Sequence, residues 1–137
     1  MTENDVSRRL IDQRCRNRIM ECLLSFADTD NENLKRWGAG EYFDSFYDWV
    51  PHRDDGGMLA NSALTAKEQA LVAEVSRMVD DACDATPQDI TVNELIASGW
   101  PARISPLARR ALDLMLERGR FDEEREEPEP TSPIPWP

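Results

Sequence analysis

The chain of 137 residues carries 27 acidic against 16 basic side chains, a formal net charge of −11, with 40% hydrophobic and 31% charged residues. That length suffices for one core without metal or disulfide support, and no apolar run approaches the ~20 residues a membrane-spanning helix needs. Such an acid excess repels nucleic-acid phosphates and anionic lipid, so neither nucleic acid nor a membrane is expected as a partner, and a basic protein is favoured.

The charge is unevenly spread. Residues 28–57 hold three basic and eight acidic side chains, residues 58–98 two and seven, and residues 120–137 two and six, whereas residues 1–27 and 99–119 are mildly basic. The N-terminus is charged throughout and lacks the apolar region and small-residue cleavage site of a secretory signal, so a cytoplasmic location is expected. Cys15, Cys22 and Cys83 are odd in number; Cys15 and Cys22, seven apart on a predicted helix, lie ~10 Å apart, too far for a disulfide. All three are expected as free thiols. His52 is the single histidine, which leaves little material for a zinc site or a proton relay.

In chain order, residues 5–27 are predicted as a first helix with Asn4 as N-cap, because Ile11, Cys15, Ile19, Cys22 and Phe26 recur at helical spacing. Arg8, Arg9, Arg14, Arg16 and Arg18 fall largely off that stripe and read as a solvated face pairing with nearby acids. Residues 28–35, rich in Asp and Asn, read as a loop. Its three acids do not make a calcium loop, because the glycine and the closing glutamate of that motif are missing.

Residues 37–51 hold two of the four tryptophans, both tyrosines and two of the four phenylalanines. Stepping about 100° per residue from Glu41 places Tyr42, Phe43, Phe46, Tyr47, Trp49 and Val50 on one arc from about 80° to 240°, and Glu41, Asp44, Ser45 and Asp48 on the other. Residues 41–50 are therefore predicted as an amphipathic helix stopped by Pro51, with Gly38 and Gly40 supplying the turn before it. Most of the arc is expected in the core. Its borders, Tyr47 and Trp49 beside Asp44 and Asp48, combine aromatic anchors with carboxylates, as binding hot spots do. Asp54 and Asp55 extend the acidic stretch through the loop that follows.

Thr65-Ala66-Lys67-Glu68 and Thr91-Val92-Asn93-Glu94 are capping boxes, in which the threonine hydroxyl and the glutamate carboxylate satisfy free amides at a helix start. They introduce a helix to about Ala85 and a shorter one to Ser98. Ser105-Pro106 predicts an N-cap and first residue for a last helix to Arg118, with Arg109, Arg110 and Arg118 as its basic side chains. Beyond it lie five of the nine prolines and few apolar residues, so residues 120–137 are expected as an acidic, Pro-rich tail, extended or disordered and flexible. Trp136 stands out there as a side chain that packs back on the domain or engages a partner.

The expected fold is all-α: residues 1–119 as a single irregular bundle of about five helices. No catalytic constellation is assembled, and no cofactor or metal is expected. The function read from this pattern is that of a small interaction protein binding a basic protein surface, of bacterial immunity or antitoxin type. Glu41, Asp44, Asp48, Asp54 and Asp55 would steer the encounter and Tyr47 and Trp49 would anchor it. The competing readings are a small enzyme or ligand-binding domain with its site around His52, and a homo-oligomeric subunit in which the basic last helix meets a neighbour's acidic middle.

Overall fold

The computed structural model of the chain describes residues 6–50 and 60–131. Asn4, His52, Asp54, Asp55 and Trp136 therefore lie outside the described residues. Among the described residues six helices run in the order α1 (Arg8–Phe26), α2 (Glu32–Trp37), α3 (Ala39–Trp49), α4 (Ala66–Ala85), α5 (Val92–Ser98) and α6 (Trp100–Arg118). The architecture is all-α, as expected, and among the described residues no helix is long and apolar enough to cross a membrane. α6 packs against α1, α4 and α5, while α1 also carries α3, and α3 carries α2.

Both capping boxes form as their spacing requires. Thr65 Oγ1 accepts from the Glu68 amide at 3.1 Å and Glu68 Oε1 accepts from the Thr65 amide at 3.1 Å; Thr91 and Glu94 repeat the pair at the same distances. The first helix is capped by Ser7, whose hydroxyl accepts from the Leu10 amide at 3.1 Å, and it begins at Arg8 rather than near residue 5.

Two boundaries differ more substantially. The run read as a loop contains α2, because Asp28 acts as a cap from outside the helix: its Oδ1 accepts from the Asp30 amide and its Oδ2 from the Asn33 amide, both at 3.1 Å. A carboxylate at a helix start also meets the positive end of the helix dipole. The last helix begins at Trp100, six residues before the predicted start. Gly99, at φ +86°, ends α5 and starts α6 in one residue, a left-handed conformation that glycine adopts without a Cβ penalty. Pro101 then falls in the first turn, where its missing N–H removes nothing. Pro106 lies inside the helix, at the cost of the bond the Ala102 carbonyl would receive. Ser105, predicted as a cap, instead donates its hydroxyl to the Ala27 carbonyl at 3.1 Å and ties α6 to the end of α1.

The core is built on Ile19, Met20, Leu23 and Phe26 of α1, Val72, Val75 and Val79 of α4, and Ile104, Ala108, Leu112 and Met115 of α6. The arc of α3 joins it. Phe26 meets Tyr42 edge-on with centroids 4.6 Å apart and stacks on Phe46 at 5.5 Å.

The first half of α1 behaves differently from its apolar spacing. Ile11 is exposed, and the buried face is Asp12, Gln13, Arg16 and Asn17. The reason is what covers it. Residues 120–131, without regular secondary structure, run along this face, and their peptide groups need hydrogen-bond partners. Asn17 Nδ2 donates to the Phe121 carbonyl at 2.9 Å while its Oδ1 accepts from the Phe121 amide at 3.2 Å. Gln13 Nε2 donates to the carbonyls of Asp122 and Arg125, and its Oε1 accepts from the Glu127 amide, each at 2.9 Å. Arg14 donates to the Glu123 carbonyl at 2.7 Å and Arg9 to those of Glu127 and Pro128 at 2.9 and 3.2 Å.

Arg16 is not the solvated residue the sequence implied. Fully buried, it donates to Glu68 at 3.2 and 3.0 Å, and Glu68 also accepts from Arg118 at 3.0 and 2.8 Å. The Phe121 ring closes over this triad, with the guanidinium carbons of Arg9, Arg16 and Arg118 at 5.1, 5.2 and 5.6 Å from its centroid.

Candidate functional site

α3 buries one side of its arc: Tyr42 and Phe46 pack on Phe26 of α1 and Phe43 is buried on Tyr42, while Glu41, Asp44, Asp48 and Trp49 are exposed. Gly38, at φ +95°, joins α2 to α3 and lets the two helices change direction within one residue, which brings the ends of both, Trp37 and Trp49, to the same groove.

None of Glu41, Asp44 and Asp48 forms an ion pair among the described residues. Two of them, Asp44 and Asp48, bear on neighbouring thiols. Burial, then the charges of Glu21 and Asp48, pushes the Cys22 thiol up to about 12. That thiol donates to the Ser45 carbonyl at 3.1 Å. On the other flank burial, then Asp84, Asp80 and Asp44, raises the exposed Cys83 thiol above its ordinary value. Asp44 shares a groove with Cys83 at the C-terminal end of α4. The three cysteines are free, as expected.

Tyr47 is half-buried and donates its hydroxyl to Asp80 of α4; burial, reinforced by that hydrogen bond, raises its pKa far above the usual tyrosine value. Its ring packs edge-on against Phe46 with centroids 6.0 Å apart. Tyr47 therefore fixes α3 to α4 and positions a fourth carboxylate beside the ridge, while Trp49, 40% exposed, presents its indole outward. The structure places Glu41, Asp44 and Asp48 on the exposed face of α3, with Tyr47 on the border toward α4 and Trp49 on the border toward α1; Asp54 and Asp55 lie outside the described residues.

Trp37 was missed by the sequence reading and is 45% exposed, the most exposed large apolar side chain described. With Trp49, Leu24 and Cys22 it lines a groove of about 380 Å³ between α1 and α3, whose polar end is Arg18 and Glu21. The signal was its place beside Gly38, at a helix end outside the segregated arc. A second groove, of about 290 Å³, runs along the other flank past Phe43, Asp44, Cys83 and Ile90.

The basic side chains of α6 are largely committed within the molecule: Arg118 to Glu68 and Glu129, Arg109 to Asp113 at 3.0 Å, and Arg103 to the face of Trp100, 4.1 Å from its centroid. Among the described residues no group of three or more His, Cys, Asp or Glu side chains is placed to hold a metal ion. No family model matches the chain, and neither a curated protein nor a solved structure matches it.

Proposed function

We propose that this protein is a small binding protein that engages a basic protein surface through the exposed edge of α3, in the manner of a neutralising immunity or antitoxin-type protein. The observation that carries this reading is the row of three exposed carboxylates on α3, Glu41, Asp44 and Asp48, which form no ion pair among the described residues, with the outward-facing indole of Trp49 at its border. Some surface carboxylates elsewhere are paired, as Asp113 is with Arg109 and Glu32 with Lys35, while Glu74, Asp81 and Asp84 of α4 form no ion pair among the described residues and extend the acidic surface. Such a row of charge accelerates encounter with an opposite field and fixes the register of the partner. An indole beside such a row supplies the apolar contact area that gives an interface its lifetime.

The test is the pair D44K/D48K, in which two charges reverse at positions exposed to solvent. Immobilised wild-type chain should retain a basic protein from native lysate at about 50 mM salt and release it at about 0.5 M, where exposed charges are largely screened. The double variant should keep its helical circular dichroism and lose that retention. Unchanged retention and salt dependence in the double variant would remove the reading.

A further inference from the structure

The groove between α1 and α3 offers chemistry that the acidic ridge alone does not. Its two bordering indoles, Trp37 at the end of α2 and Trp49 at the end of α3, present exposed aromatic faces, and among the described residues no cation lies over either ring. Elsewhere in the same molecule an exposed guanidinium already stacks on an indole, Arg103 over Trp100.

The groove's polar end is balanced in charge. Arg18 pairs with Glu21 and, at 2.6 Å, with Glu123; Arg120 pairs with the same two carboxylates at 3.2 and 3.7 Å. Two guanidiniums therefore offset two carboxylates. Among the described residues Asp48 forms no ion pair; it is exposed on α3, adjacent in the chain to Trp49 and about one turn beyond Ser45, both of which line the groove. A volume of about 380 Å³ suits one long side chain, near the lower bound of roughly 300 Å³ for small-ligand clefts. Aromatic walls and one unbalanced negative charge select a cation. Between the two natural candidates, the planar, weakly hydrated guanidinium lies flat on an indole while forking onto a carboxylate, which a compact ammonium cannot do.

We propose that this groove receives an arginine side chain of the partner protein, its guanidinium lying against Trp37 and Trp49 and paired with Asp48. The inference rests on the reading of α3 as the edge that meets a basic partner, and names the residue that partner inserts.

The experiment titrates the full-length chain with three acetylated, amidated pentapeptides, Gly-Gly-Xaa-Gly-Gly, where Xaa is arginine, lysine or citrulline. The readout is the indole N–H resonances, assigned through the single variants W37F and W49F. The arginine peptide should shift the Trp37 and Trp49 signals saturably, weakly and in a salt-dependent way, leaving Trp100 in place. Lysine should bind several-fold more weakly and citrulline, which has the shape without the charge, should not bind. W37A, W49A and D48N should each weaken binding roughly 3- to 10-fold, the range expected for one cation–π contact or one exposed charge pair. Exposed positions make these variants safe for folding, and circular dichroism checks it.

Indole signals that stay fixed with the arginine peptide, or move equally with citrulline or lysine, would overturn the proposal. Its failure is separable from that of the broader reading. Fixed indole signals together with loss of partner retention in E41K/D44K, which leaves Asp48 in place, would sink the groove alone; arginine-specific shifts with retention intact in E41K/D44K would sink the ridge.

Discussion

Replacing Glu68 by glutamine tests the buried triad with almost no change of shape. Glu68 is 1% exposed and Arg16 0%, so the wild-type pair is dry on both sides. The substitution leaves Arg16 with a buried, unmatched charge and turns an acceptor oxygen into an NH₂ that faces a guanidinium. Breaking one partner out of a buried pair typically costs about 3–5 kcal/mol. Two features argue for the lower end: Arg16 keeps the carbonyls of Met115 and Gly119 at 3.1 and 2.7 Å, and Arg118 keeps Glu129 at 2.8 Å. With a urea slope of about 1.5 kcal/mol/M, a loss of about 3 kcal/mol lowers the unfolding midpoint by about 2 M.

The same carboxylate makes a pH prediction. Burial alone would raise the Glu68 carboxyl, but hydrogen bonds from Arg118 and Arg16 outweigh it and hold the group below the usual glutamate value. A group depressed in the folded state contributes its full stability above the unfolded value of about 4.3 and loses it as pH falls through the folded one. The gap between wild type and E68Q should therefore be constant from pH 6 to 8 and close below about pH 4. The double variant R16M/E68M, which removes the charges from both sides, should recover most of the loss, less about 1 kcal/mol for the cap on α4. A midpoint shift for E68Q under about 0.5 M, or a gap that does not depend on pH, would refute the assignment of the triad as a buried charge network.

Phe121→Ala empties a site that is 2% exposed and should cost about 3–5 kcal/mol, with faster hydrogen exchange at the Glu127 amide that Gln13 holds, read by NMR. Pro106→Ala returns an amide to the exposed face of α6 opposite the Ala102 carbonyl and should raise stability by about 1–2 kcal/mol, read as a higher thermal midpoint. In native buffer at pH 8, Cys83 should react first with a thiol reagent and Cys22, buried and raised to about 12, last, as mapped by peptide mass spectrometry. Reaction of Cys22 at the rate of Cys83 would contradict the packing of α3 on α1.

What could be read in advance follows how local its cause was. The capping boxes at Thr65 and Thr91 work within four residues, and the arc of α3 is set by spacing alone, so both could be placed from the chain. α2 escaped because Asp28 caps it from outside the helix. The start of α6 escaped because Ser105-Pro106 imitates a helix start, while the true joint is a lone Gly99. Arg16 and Ile11 were inverted for a longer-range reason: what covers them, Glu68 and residues 120–131, is far away in sequence, and no periodicity within α1 encodes it. Of the candidate edge, the carboxylates and Trp49 were legible from the wheel. Trp37 was not, since its position depends on the turn at Gly38.

The segment laid along α1 is held chiefly by its main chain. Asn17, Gln13, Arg14 and Arg9 address peptide carbonyls and amides from Phe121 to Pro128, a set of groups present whatever side chains the segment bears. Glu124 is exposed and its amide is held only within the segment, by Asp122, whereas Phe121 fills a closed site and Glu123 meets Arg18. The helix thus specifies where residues 121–128 run without specifying most of their letters. Substitution can accumulate in that segment while its path stays fixed, and the constraint is written instead into Gln13 and Asn17, whose carboxamides have no substitute of the same length that both gives and accepts a hydrogen bond.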